Sequence, residues 1–426
     1  MSSSGVRQDL SLLRDRPFTL LLVARTLSML GVAFGPVAIA FGVLGLPGST
    51  ATTLSAVLTA EALPMVGFML VGGVVADRLP RHRVIAVSET ANALAYAGLA
   101  AAMLTGHTPL PLLIALCAVS GTASALLYPA LTGIIPDVVP PERLQTANAL
   151  LGLGQNSARV AGTVLSGAAV ALLGAGWALA ASGATFAVSA VLATLLGRSL
   201  RGRARGGGGS SMLADLRAGW HEFFSRQWLW VVVAQFSIVV LALQAAHGVL
   251  GPLLARDELG GAPAWSAVLA AQAFGMVVGV LLAMRVRPRR PIFVGVLLTF
   301  SAAAPSLLLG VGAPLWSAVA GAFLTGVCFD VFGVLWATTM QREVPPESLS
   351  RVASYDALGS LMLGPVGLMI AGPVAELAGV RPSLIGCAVL MVLVTFAALL
   401  APGVRGLRAP DPRVPAPSPG TPAPPA

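Results

Sequence analysis

The chain has no lysine: all 26 of its basic residues are arginine. Charge of either sign is scarce, with Asp, Glu and Arg together making up 10% of 426 residues. A water-soluble domain carries roughly 25% charged residues to cover its surface, so a fold wetted on all sides is excluded. Cysteine is rare too, and Cys117, Cys328 and Cys387 all fall inside apolar runs, which argues against a disulfide framework. The four histidines are scattered without metal-ligand spacing, so no metal site is expected. There is no GxxxxGK[ST] loop, which argues against nucleotide-driven transport within this chain. Nor is there a nucleophile–base set, and no enzyme activity or cofactor is expected.

What is abundant is apolar surface. Residues of the AVILMFWYC set form 56% of the chain, and the mean hydropathy is +0.85. Crossing a hydrocarbon core takes about 20 apolar residues in a helix. Turn and charge signals divide the chain into twelve such runs, near 18–45, 52–76, 83–104, 110–135, 144–172, 177–197, 229–254, 264–284, 291–311, 314–340, 349–378 and 382–401. Lipid offers backbone groups no outside partner, so these runs must be helices. The fold class expected is an all-α integral membrane protein of two pseudo-symmetric six-helix halves. The first run is longer than the core of a cleaved signal and is expected to stay as a membrane helix.

The net charge of +9 could suggest nucleic acid, but the arginines sit in short loops, where they orient helices against a bilayer. With the N-terminus in the cytoplasm, 22 of the 26 arginines lie on that side. Arg256 and Arg381 lie outside, and Arg25 and Arg159 fall within spans. That skew predicts both termini in the cytoplasm, with the lipid bilayer as a partner and no nucleic acid, and the all-arginine usage with its Ala, Gly and Pro excess points to a GC-rich bacterial genome.

Two stretches 205 residues apart nearly coincide: Val139-Pro140-Pro141-Glu142-Arg143-Leu144 and Val344-Pro345-Pro346-Glu347-Ser348-Leu349. The same offset carries Gly154, Gly162 and Gly167 onto Gly359, Gly367 and Gly372. Repeated halves are how many secondary transporters build a site that faces either side in turn. The organisation expected is a cytoplasmic N-terminus (1–17), a first six-helix bundle (18–197), a linker (198–228), a second bundle (229–401) and a Pro-rich disordered cytoplasmic tail (402–426). Within the linker, Leu213, Leu216, Trp220 and Phe223 recur at three- and four-residue steps, with Arg217 and His221 on other sides. That pattern predicts an amphipathic helix on the inner membrane face.

Between the second and third runs stands Gly73-Val-Val-Ala-Asp77-Arg78-Leu-Pro80-Arg81-His82-Arg83. It resembles the signature loop of the major facilitator superfamily, Gly-x-x-x-Asp-Arg-x-Gly-Arg-Arg/Lys. Gly73, Asp77, Arg78 and Arg81 match, His82 and Arg83 supply the basic end, and Pro80 stands where the family usually has Gly. The resemblance implies a gating loop: Gly73 lets helices approach, and Asp77, at a helix end on the cytoplasmic face, accepts charge-assisted hydrogen bonds or meets a helix N-terminus of the other half. The second half keeps Gly279, Arg285, Arg287, Arg289 and Arg290, with Met284 in place of the acid.

Within that superfamily the chain is similar to bacterial efflux-type members that export siderophores and macrolides. The likeness rests on Arg25-Thr-Leu-Ser28-Met-Leu-Gly31, Tyr128-Pro129-Ala130-Leu131 and Ala147-Asn148-Ala149. Val32 stands where such relatives often carry an acid, Cys117 where proton-coupled drug exporters have Arg, and the span-five antiporter pattern is reduced to Gly162-Thr163 and Ser166-Gly167.

An ionisable residue inside a membrane helix is expensive and therefore a functional candidate. Asp330 lies about 15 Å from either end of span ten, which in the family fold lines the central cavity, and a carboxyl there suits a proton carrier. Glu61 lies about 24 Å above the cytoplasmic end of span two, where it lines an outer vestibule or faces headgroup water. Arg25 is shallow enough to snorkel. Arg159 is deeper and calls for an acid or an anionic partner. Asp356 and Glu89 read as inner-gate hydrogen-bonding groups. Gln235, Gln244 and His247 in span seven, with Thr122, Ser124 and Tyr128 in span four, add neutral donors beside Met, Phe and Leu, a lining suited to an amphiphilic organic molecule.

The leading expectation is a monomeric, proton-coupled exporter of small amphiphilic compounds working by alternating access. An uptake symporter of the same fold and a non-transporting sensor or lipid-handling protein are the alternatives. A breakable Asp77 latch has no use in a static receptor.

Overall fold

A computed structural model describes residues 10–140, 143–200 and 221–408, apart from the side chains at 10, 11, 70, 73, 74, 76, 77, 346, 347, 350 and 351. Its helices are α1 (Arg16–Leu44), α2 (Ala51–Gly67, resumed as Met69–Arg78), α3 (Arg81–Thr105), α4 (Leu110–Gly133), α5 (Leu144–Leu173) and α6 (Ala175–Ser199). The second half follows with α7 (Gln227–Leu259), α8 (Ala262–Ala283), α9 (Pro291–Gly310), α10 (Leu315–Glu343), α11 (Pro346–Leu361, resumed as Gly364–Ala378) and α12 (Val380–Leu400). Among the described residues eleven helices are long and apolar enough to cross a membrane, and Ala51–Gly67 is a shorter apolar helix. Among the described residues there is no strand. The chain is an all-α, multi-pass membrane protein.

The irregular stretches have local causes. Pro252 has no N–H and its ring crowds the carbonyl four residues back. The chain widens into π-turns at Ala245–Leu250 and Ala255–Leu259 on either side of it. In α9, Pro305 leaves the Ser301 carbonyl without its helical donor, and the Thr325 hydroxyl of α10 donates to that oxygen at 2.7 Å. α2 breaks at Phe68 after Pro64, and α11 breaks before Pro365. The turns from α5 into α6 and from α11 into α12 hang on Gly174 (φ 88°, ψ 162°) and Gly379 (φ 89°, ψ 157°). That backbone region is essentially closed to residues with a Cβ.

Lipid tails are as apolar as leucine, so helices associate through close packing of small residues. A Cβ on Gly121 of α4 would collide with the Glu61 carbonyl of α2, and one on Gly326 of α10 with the Gln272 carbonyl of α8. Each pair of helices crosses backbone on backbone.

The near end of the bundle is where the chain enters α1 at Arg16; the far end is where α1 leaves at Leu44. A core at the far end draws on both halves, joining Val43, Leu54 and Leu58 to Val249, Leu253, Trp265 and Leu368. Toward the near end each half has its own core. One is built on Phe18, Leu21, Ile85 and Leu151, the other on Trp228, Leu229, Trp336 and Val352. The halves are thus sealed together at the far end and packed separately at the near end.

Part of the linker reading falls on Leu213, Leu216, Arg217 and Trp220, outside the described residues. Phe223 is buried in the second half's core and its ring lies 6.0 Å from that of Tyr355. Of the expected disordered tail, 402–406 form a helical turn (Pro402–Gly406), because Val404 is buried in that same core and the Gln227 side chain accepts from the Gly403 N–H at 3.0 Å. Residues 409–426 lie outside the description.

Candidate functional site

A cavity of about 330 Å³ lies within the second half. α7 supplies Phe236, α8 supplies Met276, α10 supplies Phe329, Asp330, Phe332 and Trp336, and α11 supplies Asp356 and Ser360. The rings form a continuous wall: Phe236 stacks on Phe332 at 5.5 Å, and Phe332 on Trp336 at 6.0 Å. Two carboxylates share this apolar chamber in different ways. Asp356 is held on both sides, its Oδ2 accepting from the Trp336 indole N–H at 3.0 Å and its Oδ1 from the Ser360 hydroxyl at 3.3 Å. Asp330, half-buried, has no hydrogen bond or ion pair among the described residues. Arg159 is close enough for its charge to act on Asp330 through space. The Arg159 guanidinium, from α5 of the first half, reaches across to the Met276 sulfur at 3.9 Å, and among the described residues it makes no ion pair. The cavity thus offers one fixed carboxylate, one free carboxylate, an aromatic wall, and a cation from the opposite half at its edge.

The other sequence candidates are distributed around it. Arg25 donates to the Leu131 carbonyl of α4 at 3.4 Å and to Gln155 of α5 at 3.5 Å, tying three helices of the first half. Glu61 sits between α2, α3 and α4, its carboxylate accepting from the Ser120 hydroxyl at 3.2 Å and the Tyr96 hydroxyl at 3.5 Å. Glu89 is fully buried inside the first half beside Ser28 and Ser189. His247 lies in the first π-turn of α7 with its ring edge-on to Trp265 at 6.0 Å, and Gln244 ends the α-helical part just before it, packed on Gly364. Gln235 points away from the cavity, donating to Thr299 at 3.0 Å and Thr395 at 3.1 Å.

In the loop from α2 to α3, Arg78 and Arg83 are exposed, while the side chains of Gly73 and Asp77 lie outside the description. Pro80 has φ −57° and ψ 116° and follows an extended Leu79, so this turn has no need of the family's glycine. Arg81 donates to the Gly133 carbonyl at 2.8 Å and pairs with Asp137 at 3.2 Å, pinning the loop to the near end of α4.

Sequence reading missed Asp137, the Trp336 clamp on Asp356, and the Ser120–Tyr96 cradle of Glu61. The spacing of Trp336 and Asp356, at facing ends of consecutive spans, was a usable signal; the partners of Glu61 carried none.

The comparisons with known proteins agree with this architecture. The family model described as Major Facilitator Superfamily matches residues 18–365. A relative from Citrobacter koseri, named an enterobactin exporter, is 30% identical over 86% of this chain and 89% of its own. The enterobactin exporter of Salmonella typhi is 29% identical, covering 90% and 94%. Among solved structures, a bacterial homologue of the human lysosomal transporter Spinster, in an inward-facing and unoccupied conformation, superposes with a TM-score of 0.69 at 17% identity over 91% of this chain and 96% of that one. A POT family transporter bound to 5-aminolevulinic acid reaches 0.75 at 11% identity over 92% and 97%. On the family match and the extent of these likenesses, the chain belongs to the major facilitator superfamily of membrane transporters.

Proposed function

We propose that this protein is a secondary active exporter that moves small amphiphilic organic molecules outward across a bacterial cytoplasmic membrane by alternating access. The observation that carries the reading is the aromatic cavity of Asp330 and Asp356, in a molecule whose halves are sealed at the far end and packed separately at the near end. The arginine skew puts the near end and both termini in the cytoplasm, so this is the state that loads from the cell. The division into two six-helix bundles lets one rock against the other around the cavity. Siderophore-exporting relatives support export, and an aromatic wall with few polar anchors supports an amphiphilic cargo.

Asp330 is the group proposed to carry the proton. It is the cavity carboxylate without a partner, so it can exchange a proton without breaking an existing bond. Asp356, held by Trp336 and Ser360, stays in place as part of the wall. Arg159 couples the halves: its distance from Asp330 changes as they rock, so occupancy of the carboxyl and domain position bias each other. The Asp77 loop acts as the near-end latch of the opposite state. One chain holds both halves and is proposed to work as a monomer.

The test is proton movement in proteoliposomes challenged with lipophilic cations, macrolides and siderophores. Substrate-evoked proton flux that disappears in Asp330→Asn, with substrate counterflow retained, is the expected result. Flux unchanged in Asp330→Asn would remove Asp330 from the coupling role.

A further inference from the structure

Two of the interfaces that join the halves toward the far end are related by the internal repeat. α5 lays Gly167 against Ala262 and Ser266 at the start of α8, and α11 lays Gly372 against Ala51 and Ser55 at the start of α2. Gly167 and Gly372 are 205 residues apart, while Ala51 and Ser55 stand 211 residues before Ala262 and Ser266. The repeat is visible in the letters, since Ser55-Ala56-Val57-Leu58 returns as Ser266-Ala267-Val268-Leu269. The same packing has been built twice.

Its polar chemistry has not. Thr52, in the first turn of α2, corresponds to Pro263 in the first turn of α8. The Thr52 N–H donates to the Glu376 carboxylate of α11 at 2.9 Å; Pro263 has no N–H to give. Glu376 corresponds to Ala171 of α5. The interface with a free donor has an acceptor facing it, and the interface without the donor has no acceptor. The neighbouring contact follows suit, for the Gly372 N–H donates to the Ser55 hydroxyl at 2.7 Å, whereas the Ser266 hydroxyl is buried without a hydrogen-bond partner. Thr50, the residue that caps α2, covers the Thr53 N–H at 3.2 Å from its own side of the interface, while the Thr52 N–H, with the Thr50 and Thr52 side chains beside it, turns to Glu376 of the other half.

We propose that Glu376 is a latch on the far-end gate, capping the N-terminus of α2 from the opposite half while that gate is closed and releasing it when the gate opens. A carboxylate at a helix N-terminus is favoured by the unpaired amides and the aligned peptide dipoles. Glu376 is exposed, so water takes over both partners when the bond breaks. The contact is therefore strong enough to bias the gate and weak enough to be remade in every cycle. α2 then has a latch at each end: Glu376 holds its far end in the state described here, and Asp77, at its near end, serves the opposite state. This inference rests on the alternating-access reading above.

The test measures far-end distance between spin labels at Thr105 and Val311, exposed positions on opposite halves, in the full chain with its three cysteines replaced. Glu376→Ala should raise the open-to-closed ratio about two- to fivefold, the range expected for a helix-terminus charge. Thr52→Pro removes the backbone donor in a position where Pro263 shows that proline fits, and should shift the ratio the same way but by no more than Glu376→Ala, because the Thr50 side chain still faces the carboxylate. The double variant should move no further than Glu376→Ala alone, because every bond that Thr52→Pro removes ends on that carboxylate. Unchanged single variants, or shifts that multiply in the double variant, would overturn the latch while leaving alternating access intact. A wild type fixed at one distance with and without transported compound would overturn alternation, and the latch with it.

Discussion

The two halves share a packing skeleton and divide the chemistry. α4 and α10 begin 205 residues apart, at Leu110 and Leu315, as do α6 and α12, at Ala175 and Val380. Gly121 crosses the Glu61 carbonyl as Gly326 crosses that of Gln272, and Gly174 and Gly379 hold the same unusual backbone. Charges within the spans do not repeat. Glu61 corresponds to Gln272, Ala125 to Asp330, Leu151 to Asp356 and Ala171 to Glu376. The cavity carboxylates belong to the second half, and the intramembrane arginines, Arg25 and Arg159, to the first. Duplication supplied a pair of matched bodies, and divergence at a few positions left the cavity carboxylates in one and the intramembrane arginines in the other.

The comparison can be broken first at its skeleton. Gly121→Ala and Gly326→Ala each put a Cβ into a partner's backbone, which cannot move aside as a side chain would, and each should cost about 1–3 kcal/mol of stability. Thermal unfolding in detergent measures this, and a large loss in one variant with none in the other would deny that the crossings are equivalent.

The chemistry should respond unequally where the skeleton responds equally. Asp330→Asn is expected to reduce proton-driven transport about tenfold or more, as for an intramembrane carboxyl that carries the coupling ion. Glu61→Gln installs the amide found at Gln272, keeps an acceptor for Ser120 and Tyr96, and should stay within about threefold of wild type. Side-by-side flux assays of the two variants decide which half carries the proton.

Moving the latch sharpens the comparison further. Ala171→Glu with Pro263→Thr recreates at the α5–α8 interface the donor and acceptor seen at α2–α11. The pair should favour far-end closure by about two- to fivefold, read by the same label distances. The smallest effect is expected at the α2–α3 loop. Arg81→Gln loses a pair with Asp137 whose side chains are 28% and 27% exposed, worth at most about 1 kcal/mol. Arg81→Gln and Asp137→Asn should combine to less than their sum, since they share that pair while Arg81 also holds the Gly133 carbonyl.

Much of the fold was legible before the structure. Every span lies within a few residues of a helix, because the bilayer forces each apolar run to satisfy its own backbone. The conserved offset of 205 residues exposed the repeat in the last three helices of each half. The first three helices follow an offset of 211, marked by the Ser-Ala-Val-Leu match and hidden by the six-residue change of register; it sets Pro288, not Met284, opposite Asp77. Asp330 could be placed in depth by counting along a helix, but its lack of a partner could not. Asp356 was read as a hydrogen-bonding group without the indole that holds it. Glu376 and Thr52 are 324 residues apart, and neither stands out in its own segment.

Hydropathy by itself determined that this is a helical, multi-pass membrane protein, since burial in lipid and helix formation are local demands that each segment meets alone, and the repeated letters marked its two related halves. Tertiary structure decided which face of each helix looks into the cavity, which carboxylate there is free and which is bound, and which end of the molecule is sealed. Those depend on the rotation and crossing of helices that are distant in sequence. Rotation is set by small residues packing against another helix's backbone, and a single chain of letters does not say which helix that is.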